Sequence, residues 1–277
     1  MVAKQAVRDD GWRLPDELWA RMEPLLPPRP KHPLGCHNPR VPDRAAMDAI
    51  FFVLRTGCQW NALQATGICS SSRRTGGSWS GPRPGCSASS GGRASWPTIS
   101  SPASTGAGSR STVPRARRRG VGGKTGPNPT DRGKSGTERS LLTDGRGVPL
   151  GLAGAGANRN DHKLLRETVE AIPIERPAPT PGVPQGLCLD KGYDHPEVPA
   201  LAAEFGFTLH LRTRGEEREA KRHAGARARR WVVERAHSRL NRFRRILIRW
   251  EKRPDAYLAM LRFALGLIAW RHTSLPR

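Results

Sequence analysis

The stretch GLCLDKGYDHPEVPALAAEFGFTLHLR, Gly186 to Arg212, decides the fold. GLCLD reads as a short buried strand ending at Asp190, and FTLHLR as another beginning at Phe207. Between them lies a loop and a helix, imperfect because of Pro196 and Pro199. Upstream, SLLT, the turn DGRG (Asp144 to Gly147) and VPLGLAGAG predict a β-hairpin, with Pro149 weakening its second strand. Asn160 or Asp161 can cap a helix over 162–171, whose apolar face is Leu164, Leu165, Thr168 and Val169. The order strand, strand, helix, strand, helix, strand, helix means an α/β domain.

The N-terminal part has a different period. Leu18, Trp19, Met22 and Leu25 recur at helical spacing until Pro27 and Pro28 stop the run, with Pro15 in a tolerated first-turn position. After a Pro-rich loop, Asp43 is a plausible N-cap for a helix with Ala46, Met47, Ile50, Phe51 and Leu54 on one face, closed by Gly57. A third helix is expected after Trp60. Together these elements, 12–69, predict a small all-α head of the DNA-binding type.

Between Ser70 and Gly120 stand 14 Ser, 9 Gly, 9 Arg and 5 Pro, with only Ile99 and Val113 as branched aliphatics. No core can be built from that composition, so 70–122 is expected to be a disordered, low-complexity basic segment. From Ala49 to Thr130 there is no Asp or Glu at all.

The whole chain of 277 residues carries 47 Lys plus Arg against 24 Asp plus Glu, a net +23. Such an excess favours a polyanionic partner through counterion release. The most apolar stretch, Tyr257 to Trp270, is interrupted by Arg262 and falls short of the about 20 apolar residues that a membrane span needs. It predicts a buried helix and no membrane association. Asp9 and Asp10 lie where an export signal needs an apolar run, which predicts a cytoplasmic protein. The five cysteines are scattered without a C-x-x-C pair, against a zinc site or disulfide framework.

The chemistry-bearing signal is RRWVVERAHSRLNRFRR, Arg229 to Arg245. Val233, Ala236, Leu240, Phe243 and Leu247 make one face of a helix apolar, while Arg230, Glu234, His237 and Asn241 form a polar stripe beside it. Glu234 by itself serves equally well as an ion-pair partner of Arg230. Asp190 alters the balance, because a carboxylate at the end of a short apolar strand stands where α/β proteins place ligands. Between His210 and Arg253 there are 16 Lys or Arg against 5 acids. A strand-end Asp and a helix Glu in such surroundings suggest a hard-cation site for Mg²⁺ (or Mn²⁺) facing a phosphate backbone.

LDKGYD (Leu189 to Asp194) and the Glu234 segment closely resemble the second-Asp and Glu motifs of the insertion-sequence-five family of transposases. In that family Arg, three residues, Glu, six residues and Lys mark the Glu helix. Arg230 and Glu234 match, and Asn241 stands in place of the Lys, with Arg242 beside it. LPDELWARMEPLLPP and FFVLRTGCQWNAL likewise resemble the family's helical head. The resemblance implies an RNase H-like mixed sheet over 123–277 and a DDE site. Asp190 and Glu234 would be its catalytic, metal-binding carboxylates, and Arg230, Asn241, Arg242, Arg244 and Arg245 would lie near DNA phosphates. It further implies double-stranded DNA, as element ends and target, for a partner, and a homodimer when active.

The family pattern also requires an Asp, usually followed by Gly, on the first strand, shortly before GGKTGPNPTDRGKSGTERSLLTD. No acid stands there. If Ser111 to Pro114 is coded TCG ACG GTG CC, a one-base shift yields GAC GGT GCC, which is Asp-Gly-Ala. Two compensating frameshifts, near Ser72 and near Gly122, would account for the Ser/Gly/Arg/Pro tract. The sequence thus predicts a catalytic domain without its first strand, and a transposase of little or no activity. A non-catalytic nucleic-acid-binding remnant and a DNA nuclease are the alternatives.

Overall fold

The computed structural model describes residues 11–28, 41–69, 105–107, 111–114, 123–129, 132–211 and 231–274. Its helices, in chain order, are α1 (Asp16–Met22), α2 (Asp43–Thr56), α3 (Leu63–Thr66), α4 (His162–Glu170), α5 (Glu197–Glu204), α6 (Trp231–Leu240) and α7 (Pro254–Ser274). Its strands are β1 (Thr105–Ala107), β2 (Ser111–Pro114), β3 (Gly126–Pro127), β4 (Ser135–Thr143), β5 (Pro149–Gly156), β6 (Gln185–Leu189) and β7 (Phe207–Leu211). The fold is α/β with an RNase H-like sheet.

All seven strands join one mixed sheet. β4 pairs antiparallel with β5 as the predicted hairpin, whose turn is fixed by Asp144 Oδ1 accepting from the Arg146 and Val148 amides at 2.9 and 2.8 Å. β1 pairs with the C-terminal end of β4, and β2 with its N-terminal half, both antiparallel. On its other side β1 runs parallel to β6, and β6 parallel to β7.

β1 and β2 therefore fill the first-strand position, in two pieces, from within the segment expected to be disordered. The expectation of a catalytic domain without that strand is corrected at 105–107 and 111–114. A ladder is made by backbone N–H and C=O groups, so residues of low apolarity can occupy it once β4 and β6 present unpaired edges. The rest of 70–122 lies outside the described residues.

The two faces of the sheet have separate cores. On one, Leu141 and Leu152 pack with Ala236, Leu240, Phe243, Ile246, Tyr257 and Leu261, and with Leu14, Leu18, Ile50, Phe51 and Leu54 of the head. The head is continuous with this core. On the other face Leu142 packs with Leu165, Val169, Leu187, Val198 and Phe207. Full burial of each such side chain contributes about 1.5–3 kcal/mol.

Several local readings change. Gly57 closes α2 in the left-handed region (φ 72°) as expected, but Asp43 begins that helix without capping it, and Asp161 makes no capping hydrogen bond to α4. Leu25 belongs to a short 3₁₀ turn and is 77% exposed. The expected third head helix is only the four-residue α3. No helix among the described residues is long and apolar enough to cross a membrane.

Candidate active site

Asp190 follows β6 directly and is half-buried. Ala107 of β1 is in register with Leu189, so the first-strand position passes alongside the Asp190 end of β6. The chain then turns through Lys191–Tyr193, with the Tyr193 amide donating to the Asp190 carbonyl at 2.9 Å. Tyr193 drops back into the core, 3% exposed, its hydroxyl 3.3 Å from Ser140 Oγ. Burial pushes its pKa far up, and the nearby Asp161, Glu138 and Asp190 carboxylates push it further. All three carboxylates thus act electrostatically on one phenol. Asp161 reaches the turn so closely that a Cβ on Gly192 would lie 2.6 Å from its Oδ2, which explains the glycine.

Glu138 was not singled out in the sequence. It is 2% exposed, on the same face of β4 as Ser140, and in register with Thr112 of β2. A strand-centre acid flanked by buried positions, in the run Thr137-Glu138-Arg139-Ser140, was the available signal. Ser111–Pro114, where the shifted reading restores Asp-Gly-Ala, is β2 itself and pairs along this part of β4.

Glu234 is exposed on α6, whose Val232, Val233, Ala236 and Leu240 are buried in accord with the apolar face. α6 packs across β4 and β1, so the first-strand position runs between the Asp190 strand and the Glu234 helix. The helix stops at Leu240, where the Asn241 amide donates to the His237 carbonyl at 2.8 Å. Asn241 therefore lies beyond the helix, His237 is buried at 5% exposure, and the expected polar stripe is broken. Leu247, assigned to the apolar face, is 40% exposed because Phe243 is extended and the chain re-forms only as a 3₁₀ turn over Arg244–Ile246.

The expected phosphate contacts divide. Asn241, Arg242 and Arg244 are exposed. Arg245 is corrected: it is buried, and its Nε donates to Glu251 Oε1 at 2.8 Å, with both side chains only 10–11% exposed. That ion pair withdraws it from any DNA surface. Arg230 lies outside the described residues. Arg235, Arg239 and Arg242 do form a cationic group: burial lowers the Arg239 pKa, and the charges of Arg235 and Arg242 lower it further.

A cleft of about 650 Å³ opens beside Asp161, lined by Lys124, Thr125, Asn158, Arg159, Asn160 and Lys163. The Asn158 side chain fits against Gly126 and Gly156, where a Cβ would come within 1.9 and 2.7 Å of its Oδ1. Hence the cleft floor depends on two glycines.

Residues 14–80 match the family model described as "Putative transposase of IS4/5 family", and residues 110–268 match the model described as "Transposase DDE domain". The chain is 38% identical over 152 residues to the "Putative transposase for insertion sequence element IS402" of Burkholderia cepacia, covering 53% of this chain and 69% of that protein. A second Burkholderia cepacia relative, the "Insertion element IS402 uncharacterized 16.2 kDa protein", is 46% identical over 57 residues, 20% of this chain and 39% of its own length. No solved structure matches. The chain therefore belongs to the IS4/5 family of DDE transposases.

Proposed function

We propose that this chain binds the terminal inverted repeats of an insertion element, and that Asp190 and Glu234 are the carboxylates of a Mg²⁺ (or Mn²⁺) site for strand cleavage and transfer. The observation that carries the reading is the placement of Asp190 at the end of β6, beside the first-strand position over which the Glu234 helix is packed. The donor set fits a hard cation: Asp190 and Glu234 offer carboxylate oxygens, with neither sulfur nor imidazole between them. A divalent cation held there would activate water or a 3′-hydroxyl toward a phosphodiester and stabilise the leaving oxygen.

The chain's own residues supply the rest. The charges of Arg235 and Arg242 add to the cost of keeping Arg239 ionised, a cost that phosphates would offset, and exposed Asn241 and Arg244 extend that surface. Lys124, Arg159 and Lys163 around the cleft offer a second phosphate contact near Asp161. The active species is a homodimer on double-stranded DNA, in the cytoplasm and associated with the nucleoid.

The third carboxylate of the first strand is missing, since no acid stands between Ala49 and Thr130. This absence favours a second reading, a DNA-binding remnant that keeps the charge and has lost the chemistry. The test measures end binding and Mg²⁺-dependent cleavage for the chain as it stands, for Ser111→Asp with Thr112→Gly, and for that pair combined with Asp190→Asn. Salt-sensitive end binding without cleavage is expected first, cleavage in the restored variant second, and its loss on Asp190→Asn third. Robust cleavage by the unaltered chain would refute its inactivity. Restored cleavage that survives Asp190→Asn would remove Asp190 from the site, and products without strand transfer would indicate a nuclease.

A further inference from the structure

His162, His195 and Glu197 stand together apart from the carboxylates assigned above. His162 opens α4, His195 lies in the loop after the Asp190 turn, and Glu197 opens α5. The two imidazoles are stacked, with centroids 3.9 Å apart and planes within 4°. His195 Nδ1 is 3.8 Å from Glu197 Oε2, and one ligand atom from each of the three residues lies within 4.8 Å of the others. We propose that His162, His195 and Glu197 form a binding site for a borderline transition-metal ion, Zn²⁺ in the first instance, which ties the first turn of α4 to the segment that follows Asp190.

The donor set selects the ion. Two imidazole nitrogens and one carboxylate oxygen suit zinc and its late first-row neighbours, whereas Mg²⁺ demands oxygen ligands, so this site and the carboxylate site take different metals. Tetrahedral zinc holds its nitrogen ligands at about 2.0–2.1 Å and hence roughly 3.4 Å from one another. The stacked rings aim their lone pairs along parallel planes, so binding requires both imidazoles to rotate out of the stack until their planes meet at the ion. The donors are available. The amide contact from Glu197 N to His195 Nδ1 is long, at 3.4 Å, and yields readily. His195 and Glu197 are 36% and 78% exposed at the side chain, so an ion can enter and a fourth position remains for water.

Opposing charge comes from Lys163, next to His162, and Asp161 on its other side offsets it. A bound ion would cross-link α4 and α5 beside the Asp190–Tyr193 turn and stabilise the native chain by mass action. This proposal stands independently of transposition.

The test is Zn²⁺ titration of the purified full-length chain in excess Mg²⁺, read by calorimetry and by melting temperature. One Zn²⁺ per chain and a rise in Tm are expected. His195→Ala should weaken that affinity at least tenfold and abolish the rise, His162→Ala should do the same, and Glu197→Gln should weaken it several-fold without altering the fold. The exposed Glu197→Gln variant keeps the test decisive if a histidine variant folds poorly. Absence of zinc binding would overturn the site, as would affinity unchanged in His195→Ala and Glu197→Gln, which would place the ion on the thiols instead.

Discussion

Strand β4 separates two buried polar neighbourhoods that share one backbone. Toward α6 and α7 it points Thr137, Arg139 and Leu141; toward α4 and α5 it points Glu138, Ser140 and Leu142. On the first side two arginines, each 1% exposed, act as struts. Arg139 donates to the Tyr257 hydroxyl and the Ile246 carbonyl, and Arg249 donates to Thr137 Oγ1 and to the Lys124 and Gly123 carbonyls at 2.8–3.1 Å. On the second side the Glu138, Asp161 and Asp190 carboxylates all act on one buried tyrosine and push its pKa up. Burial of a charge does not by itself mark function. The arginines are matched to backbone and hydroxyl oxygens, whereas the acids bear on a buried phenol.

The largest effect should come from the strut side. Arg249→Ala leaves the Gly123 carbonyl and the buried Thr137 hydroxyl without their donor and the Lys124 carbonyl with Thr137 Oγ1 alone, and should destabilise the chain by about 3 kcal/mol or more. Urea unfolding reads this. Arg249→Met restores volume but no donors and should recover only part of the loss. A change under about 1 kcal/mol for Arg249→Ala, within the range of a single ordinary hydrogen bond, would break the contrast.

Next is the acid side, where Gly192→Ala inserts a methyl 2.6 Å from Asp161 Oδ2. Either the turn or the Asp161 carboxylate must shift, at a cost of about 1–3 kcal/mol. Mg²⁺-dependent cleavage restored by Ser111→Asp with Thr112→Gly should fall further than stability does, because the turn carries Asp190. Equal stability and equal cleavage would show that Asp161 does not set the position of that turn.

Tyr193→Phe sharpens the comparison at smaller magnitude. It removes one buried 3.3 Å contact to Ser140, which keeps Thr168 Oγ1 at 2.8 Å, so the expected loss is about 1 kcal/mol by thermal or urea unfolding. A loss like that of Arg249→Ala would mean that the tyrosine is a strut as well.

Much of this architecture was legible. The hairpin around DGRG, Gly57 at the end of α2, the α4 face and the β6 strand follow from turn chemistry and apolar period. The motifs of Asp190 and Glu234 pointed to the family, which the matches show. What was not legible depends on partners distant in sequence. β1 and β2 come from a stretch without strand composition, and they pair because neighbouring strands offer backbone groups. Periodicity alone ran the Glu234 helix on to Arg245, since Phe243 stays buried although the chain has left the helix. Arg245 looked like a phosphate ligand until Glu251, six residues on and off any helical spacing, captured it. Glu138 acquires meaning only when Asp161 and Asp190 arrive from other elements.

The smallest effect belongs to a surface pair on the acid side of the sheet. Arg166 on α4 and Glu204 on α5 meet through two hydrogen bonds of 2.8 and 2.6 Å, yet both are about half exposed, and solvent screening leaves such pairs little net stability. The hydrogen bond from Arg166 is the main cause holding the Glu204 pKa below its ordinary value of 4.5. A carboxylate whose folded pKa is depressed contributes stability that is fully present above the unfolded value and is lost as pH falls through the folded one. Glu204→Gln should therefore lower Tm slightly at neutral pH and not at all once the medium is acid enough to protonate the native carboxylate. Arg166→Ala should cost more than Glu204→Gln at every pH, because its guanidinium also lies 5.5 Å over the Phe205 ring and 3.6 Å from Glu170. A Glu204→Gln deficit that persists unchanged into acid would mean that the side chain acts through packing, and would remove this pH-dependent tie between α4 and α5.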